Sequence, residues 1–248
     1  MSAELLVAAA GVIAGMVNAL AGGGSLITFP ALVAVGVPPL AANVTSTVGL
    51  VFGALGGTLG NAHDLAGQRE RIAPLVVPSL LGAAIGTATL LLTPDNLFAG
   101  IAPALVAFSC ALLFLQPGLA KRLPSPGTGR PRILMIALLL AGAYAGYFGS
   151  AVGILVLVLL SLAIDETTQR LNAFKLLLTG LMNLLAAATY ACLAPVAWRY
   201  AATLMAASLI GGVVGARCSR QVSGATLRVA VALSGLVVAA VLGAAAYG

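Results

Sequence analysis

Long apolar runs alternate along this chain with very short polar gaps. The runs fall at about residues 3–21, 25–37, 40–60, 73–92, 97–116, 133–149, 151–164, 171–193, 197–215 and 226–247. A helix needs about 20 apolar residues to span a bilayer, and six or so of the runs approach that length. Two pairs do not: 3–21 with 25–37, and 133–149 with 151–164, where the second member holds only 13 or 14 residues. The pattern predicts an all-α polytopic membrane protein. Each short pair reads as a broken-helix hairpin, entering and returning on one side and followed by three transmembrane helices.

Composition agrees with that class. Of 248 residues, 61% are hydrophobic and 7% charged, with a mean hydropathy of +1.12. Soluble domains carry about 25% charged residues, so an aqueous globular fold is excluded. All six acidic residues (Glu4, Asp64, Glu70, Asp95, Asp165, Glu166) fall in or beside gaps between runs. The net charge of +6 comes from basic residues scattered over separate loops, which points to membrane topology and not to nucleic acid. Cys110, Cys192 and Cys218 have neither metal-ligand nor redox spacing and read as packing residues. Glu4 stands where a signal peptide would carry basic residues, so no removable signal is expected.

The two halves repeat. Gly11, Gly15 and Gly22 recur as Gly142, Gly146 and Gly153 at an offset of 131, and Asn43, Gly82 and Gly86 recur as Asn172, Gly211 and Gly215 at an offset of 129. The longer Val37-to-Ala42 connection fits the difference of two. Repeat 1 is expected over 1–116, a basic cytoplasmic linker rich in Pro and Gly over 117–132, and repeat 2 over 133–248. With hairpins, each repeat crosses an odd number of times and the halves are inverted. Arg69, Arg71, Lys121, Arg122, Arg130, Arg132, Arg170, Lys175, Arg217, Arg220 and Arg228 then share one side and Arg199 alone takes the other. Continuous crossings would divide the same residues seven to five. The positive-inside rule favours the hairpins, with both termini outside the cytoplasm.

Asn18 to Pro30, NALAGGGSLITFP, interrupts a charge-free stretch from Leu5 to Pro39. Gly22, Gly23 and Gly24 permit a sharp reversal and a close ligand approach. Ser25 is placed to N-cap the following half-helix, whose amides and positive dipole end suit an anion. Asn18, a turn or two earlier, offers an amide to the same pocket. Small residues also pack membrane helices closely, so the glycines have a structural reading beside the functional one. The second half offers Ser150 within the spaced glycines Gly146, Gly149 and Gly153.

Asn43, Thr45, Ser46 and Thr47 form a polar cluster at the start of the third run. Asn172, Lys175, Thr179 and Asn183 share one helical face. Lys175 lies about 6 Å inside its helix, at about 1.5 Å per residue. There it either snorkels to the headgroups or attracts an anion along the stripe. The single histidine, His63, reads as a loop residue. No Asp or Glu lies inside a predicted span, and no catalytic group or metal cluster can be assembled, so no enzyme, metal or cofactor is expected.

Residues 15–32, from Gly15 through Asn18-Ala-Leu-Ala-Gly-Gly-Gly-Ser25 to Leu32, with Gly36-Val-Pro-Pro and Ala42-Asn43-Val-Thr-Ser46, resemble the TauE/SafE family of sulfite-exporter-like permeases. The resemblance implies an inner-membrane carrier of small, often sulfur-containing anions such as sulfite or organosulfonates. It also implies a route lined by the Asn18–Ser25 region and by the Asn43 and Asn172 regions. The expected site comprises Asn18, Gly22, Gly23, Gly24, Ser25, Asn43, Ser46, Ser150, Asn172 and Lys175. Its expected partners are a small anionic solute and the lipid bilayer, with no nucleic acid and a homo-oligomer left open. An anion channel-like pore and a non-transporting scaffold subunit are the rival readings.

Overall fold

The computed structural model describes residues 2–20, 22–60, 62–122, 131–218 and 235. Every regular element among them is helical: α1 (Ala3–Leu20), α2 (Ser25–Ala34), α3 (Pro39–Gly60), α4 (Ala62–Leu65), α5 (Arg69–Leu91), α6 (Asp95–Arg122), α7 (Pro131–Tyr147), α8 (Val152–Ala163), α9 (Thr168–Leu193) and α10 (Trp198–Cys218). Four of them, α3, α5, α6 and α9, are long and apolar enough to cross a membrane. At about 1.5 Å per residue, α2 and α8 cover only about half of a hydrocarbon core about 30 Å thick. The α6 helix continues to Arg122, into the stretch expected as linker. The last expected run, 226–247, lies outside the described residues, as do Arg130, Arg220 and Arg228.

Contacts at the helix ends fix how the elements run. Arg199 pairs with Glu4 at 2.5 Å, and the Ala197 N–H donates to Thr45 Oγ1 at 3.0 Å. The starts of α1, α3 and α10 therefore share one end, and the short turn after α2 returns the chain there. At the other end Glu166 pairs with Arg71 at 2.5 Å and with Arg170 at 3.1 Å. Arg71, Leu134, Ile164 and Asp165 line one groove at that end. The starts of α5, α7 and α9 thus lie beside the close of α8. The pairs α1–α2 and α7–α8 open toward opposite ends, and their breaks meet in the interior.

Glycine decides which helices can come close. Gly15 on α1 lies against the backbone of Ser208 and Gly212 on α10, and Gly211 lies against Val12 in return. In the second such pairing, Gly82 and Gly86 on α5 abut Leu139 and Ala143 on α7, while Gly142 and Gly146 abut Ser79 and Ala83. In membranes such small-residue seams replace the hydrophobic drive that water would supply. Around this interior the outer faces are apolar: Leu81, Ile85, Ile136 and Leu140 are each more than half exposed. That suits hydrocarbon surroundings.

Two predictions follow from this packing. A Cβ at Gly86 would run into the Ala143 carbonyl, whereas one at Gly56 would meet Leu209 Cδ1 at an ordinary 3.4 Å. Gly86→Ala should cost about 1–3 kcal/mol and Gly56→Ala less than about 0.5 kcal/mol, read as apparent Tm in detergent. The hydrogen bond from Arg170, aided by the charges of Arg170 and Arg71, holds the Glu166 carboxyl below its ordinary range. That contribution is present above the unfolded carboxylate range and lost as pH falls through the lowered native value. Glu166→Gln should therefore lower Tm near neutrality and flatten its acid dependence.

Candidate functional site

The first break is built from local sequence. Gly22, at φ +74°, donates its N–H to the Val17 carbonyl at 3.0 Å, a helix-terminating turn that favours glycine. Asn18 Oδ1 then accepts the N–H groups of Gly23 (3.1 Å) and Gly24 (2.8 Å). Gly24, with helical φ and ψ, occupies the N-cap of α2, and its carbonyl accepts from Ile27 and Thr28. Ser25 is thus the first helical residue and not the N-cap expected from sequence. With Asn18 holding the loop amides, no side-chain cap is needed. The Ser25 hydroxyl instead donates to Ser150 Oγ at 3.0 Å.

The second break draws on the rest of the fold. Gly149 (φ +71°) and Ala151 (φ +59°) both take left-handed backbone. The carbonyls freed at the end of α7 are met from other helices: Asn43 on α3 donates to the Tyr147 carbonyl at 3.0 Å, and the Tyr190 hydroxyl on α9 donates to that of Gly146. Tyr144 donates its hydroxyl to the Ser150 carbonyl at 2.7 Å, joined there by Ser109 of α6 at 3.3 Å. Phe29 of α2 packs edge-on against Phe148, ring centroids 5.6 Å apart.

The two apices touch. A Cβ on Gly22 would lie 3.2 Å from Gly153 Cα. Beside that contact, between α3 and α9, is a cavity of about 50 Å³ lined by both breaks and by a polar face of α9: Lys175, Thr179 and Asn183. On the same measure a water molecule needs about 10–15 Å³, so the space suits a few non-hydrogen atoms. Lys175 is 1% exposed, and among the described residues no carboxylate pairs with it. Neither the Ser25 nor the Gly153 backbone N–H has an acceptor among the described residues. A buried amine and the N-terminal ends of two half-helices converge there.

Of the expected residues, Asn18, Gly22, Gly23, Ser25 and Lys175 line this cavity. Gly24 lies behind it against the Ala14 carbonyl, and Ser150 backs Ser25. Asn43 is turned to α7, and Ser46 shares a 2.5 Å hydrogen bond with Thr28. Asn172, in the first turns of α9, is outside the lining. Thr47, Thr179, Asn183, Phe148, Gly149 and Gly153 line the cavity without having been expected in the site. The four-residue steps from Lys175 to Thr179 to Asn183 were a sufficient signal for two of them. Phe148 is apolar among apolar residues and carried none.

Comparison with known proteins agrees with a membrane protein built of apolar helices. The family model described as "Sulfite exporter TauE/SafE" matches residues 7–242. This chain belongs to the TauE/SafE family. It is 26% identical to a "Probable membrane transporter protein" of Haemophilus influenzae over 210 residues, 84% of this chain and 81% of that protein. It is also 29% identical over 142 residues to the "Probable membrane transporter protein ORF9" of a Sinorhizobium species, covering 57% of this chain and 54% of that protein. It is thus a multi-pass member of a membrane transporter family.

The two breaks make separable predictions. Asn18→Leu leaves the Gly23 and Gly24 amides without their acceptor and should cost about 1–3 kcal/mol. Asn18→Asp keeps the acceptor and should cost less. Ala151→Gly removes left-handed strain worth about 1–2 kcal/mol and should raise the apparent Tm. A Tm left unchanged by Ala151→Gly would show that the backbone there relaxes.

Proposed function

We propose that this TauE/SafE protein carries a small, sulfur-containing anion, such as sulfite or an organosulfonate, by alternating access. The observation that carries the reading is Lys175, buried on a cavity faced by the starts of α2 and α8 and without a counter-ion among the described residues. A buried ammonium is costly unless something of opposite charge joins it. The donors left around the cavity, the side-chain amide of Asn183 and the backbone N–H groups of Ser25 and Gly153, suit oxygen atoms of an oxyanion. The sulfur preference rests on the family's description and the cavity's small size.

Alternating access is supported by the hairpins opening to opposite ends and by the matched pairings of α1 with α10 and α7 with α5. These are what two inverted repeats, 1–116 and 133–248 around the basic linker, would produce. Arg71 and Arg170 at one end and Arg199 at the other fit an inner-membrane orientation with that first end cytoplasmic and both termini outside.

The test is a thermal-shift screen of the purified protein against sulfite, sulfate, thiosulfate, taurine, sulfoacetate and simple carboxylates, followed by uptake into proteoliposomes. A saturable shift with a sulfur oxyanion is expected, together with saturable transport. Lys175→Ala should weaken transport at least about tenfold while the protein still inserts. Gly23→Leu, whose Cβ already meets Leu113 Cδ1 at 3.2 Å, should block the cavity. Wild-type kinetics in both variants would exclude this cavity as the site.

A further inference from the structure

Resting on the carrier reading above, we propose that the cavity takes up a proton together with its anion, with Lys175 Nζ as the proton-carrying group. The protein is then a proton–anion symporter that works without a membrane carboxylate.

The argument starts from what surrounds the amine. The cavity receives Asn18 and Ser25 from α1 and α2, Thr47 from α3, Gly153 from α8, and Thr179 and Asn183 from α9 itself. None of these titrates. On the elements packed against α9 the charged groups sit elsewhere: His63 and Asp64 on α4, Arg69, Glu70 and Arg71 on α5, Arg132 on α7, and Asp165, Glu166 and Arg170 before or at the start of α9. Tyr144, Tyr147 and Tyr190 are buried or half-buried but outside the lining, with the Tyr144 and Tyr190 hydroxyls given to backbone carbonyls. Lys175 is therefore the titratable group that faces the cavity among the described residues.

A lone ammonium buried beside a 50 Å³ space is costly, and so is a lone anion. Arriving together they offset each other's charge, fully for a monoanion such as methanesulfonate and by half for a dianion such as sulfate, and low polarity favours this over either alone. In the step itself a hydronium ion of the entering solvent gives its proton to the Nζ lone pair as the anion binds, leaving a water molecule. The N–H bond breaks again when the anion leaves on the other side, the proton passing to water there as hydronium. No bond of the anion changes. Once emptied, the neutral amine lets the carrier reorient without a bare charge, so one cycle moves one proton with one anion in the same direction.

Linkage is reciprocal, so a proton bound with the anion makes anion affinity rise as pH falls, by about tenfold per pH unit for one proton. Arginine at position 175 would stay charged at any working pH. A Lys175→Arg carrier could reorient loaded but not empty, and would exchange anions without accumulating them.

The experiment uses the full-length protein and whichever of sulfate, thiosulfate or methanesulfonate gives the largest thermal shift, since each keeps one charge state across the neutral range. Calorimetry in buffers of different ionisation enthalpy should show about one proton taken up per anion. A pH gradient across proteoliposomes should drive accumulation on the alkaline side. Lys175→Arg should keep exchange and lose both proton uptake and gradient-driven accumulation, and Lys175→Gln should bind more weakly with no pH slope. Anion binding to the wild type with no proton uptake would overturn the proposal and leave the carrier reading standing. A wild-type pH slope in either variant would remove Lys175 from the role. Absence of binding by all three anions would overturn this proposal, and absence of binding by sulfite, taurine and sulfoacetate as well would overturn the carrier reading.

Discussion

Hydrocarbon offers nothing to a backbone group that has lost its helical partner, so a helix can break inside a membrane only where the protein supplies replacements. The fold is organised around meeting that demand twice. At the first break the supply is local, with Asn18 taking two amides and Gly22 turning back on Val17. At the second it comes from three other helices, through Asn43, Tyr190 and Ser109. Sealing the α7–α8 apex therefore fixes α3, α6 and α9 around it. Lys175 and the amides of Ser25 and Gly153, which have no partner among the described residues, are left facing the cavity.

Glycine serves two unrelated ends here. Gly22 and Gly149 are needed for backbone at positive φ. Gly15, Gly82, Gly86, Gly142, Gly146 and Gly211 have ordinary helical backbone and are needed because a partner helix lies where a Cβ would be. The recurrence of glycine between the halves tracks the second use, since the repeated positions line the α1–α10 and α5–α7 seams. Gly22 and Gly153 are the exception, being matched positions that touch each other.

The helical class, the short pairs and the polar face of α9 were legible because they depend on length, hydropathy and the 3.6-residue period, which are local properties. The family was legible in the Asn18–Leu32 motif. Ser25 was misread because the sequence does not show that Asn18 reaches forward six residues to take the amides a cap would serve. Asn43 and Ser46 look like ligands in one dimension and prove to be partners of Tyr147 and Thr28, helices apart. Long-range pairing of this kind leaves no mark on spacing. Phe148 shapes the cavity through position alone, which no composition argument could find.

At one end of the molecule Glu4 holds Arg199, while at the other Glu166 bridges to Arg71 of α5 and also holds Arg170, four residues along its own segment. A rocking motion that opens this second end parts Arg71 from Glu166 and leaves the Arg170 pair intact, so Arg170 competes for the carboxylate there. Salt screens such surface pairs, so ionic strength on that face acts as a bias on the resting population. The Arg71–Glu166–Arg170 cluster is in this sense a spring whose stiffness the surrounding electrolyte sets.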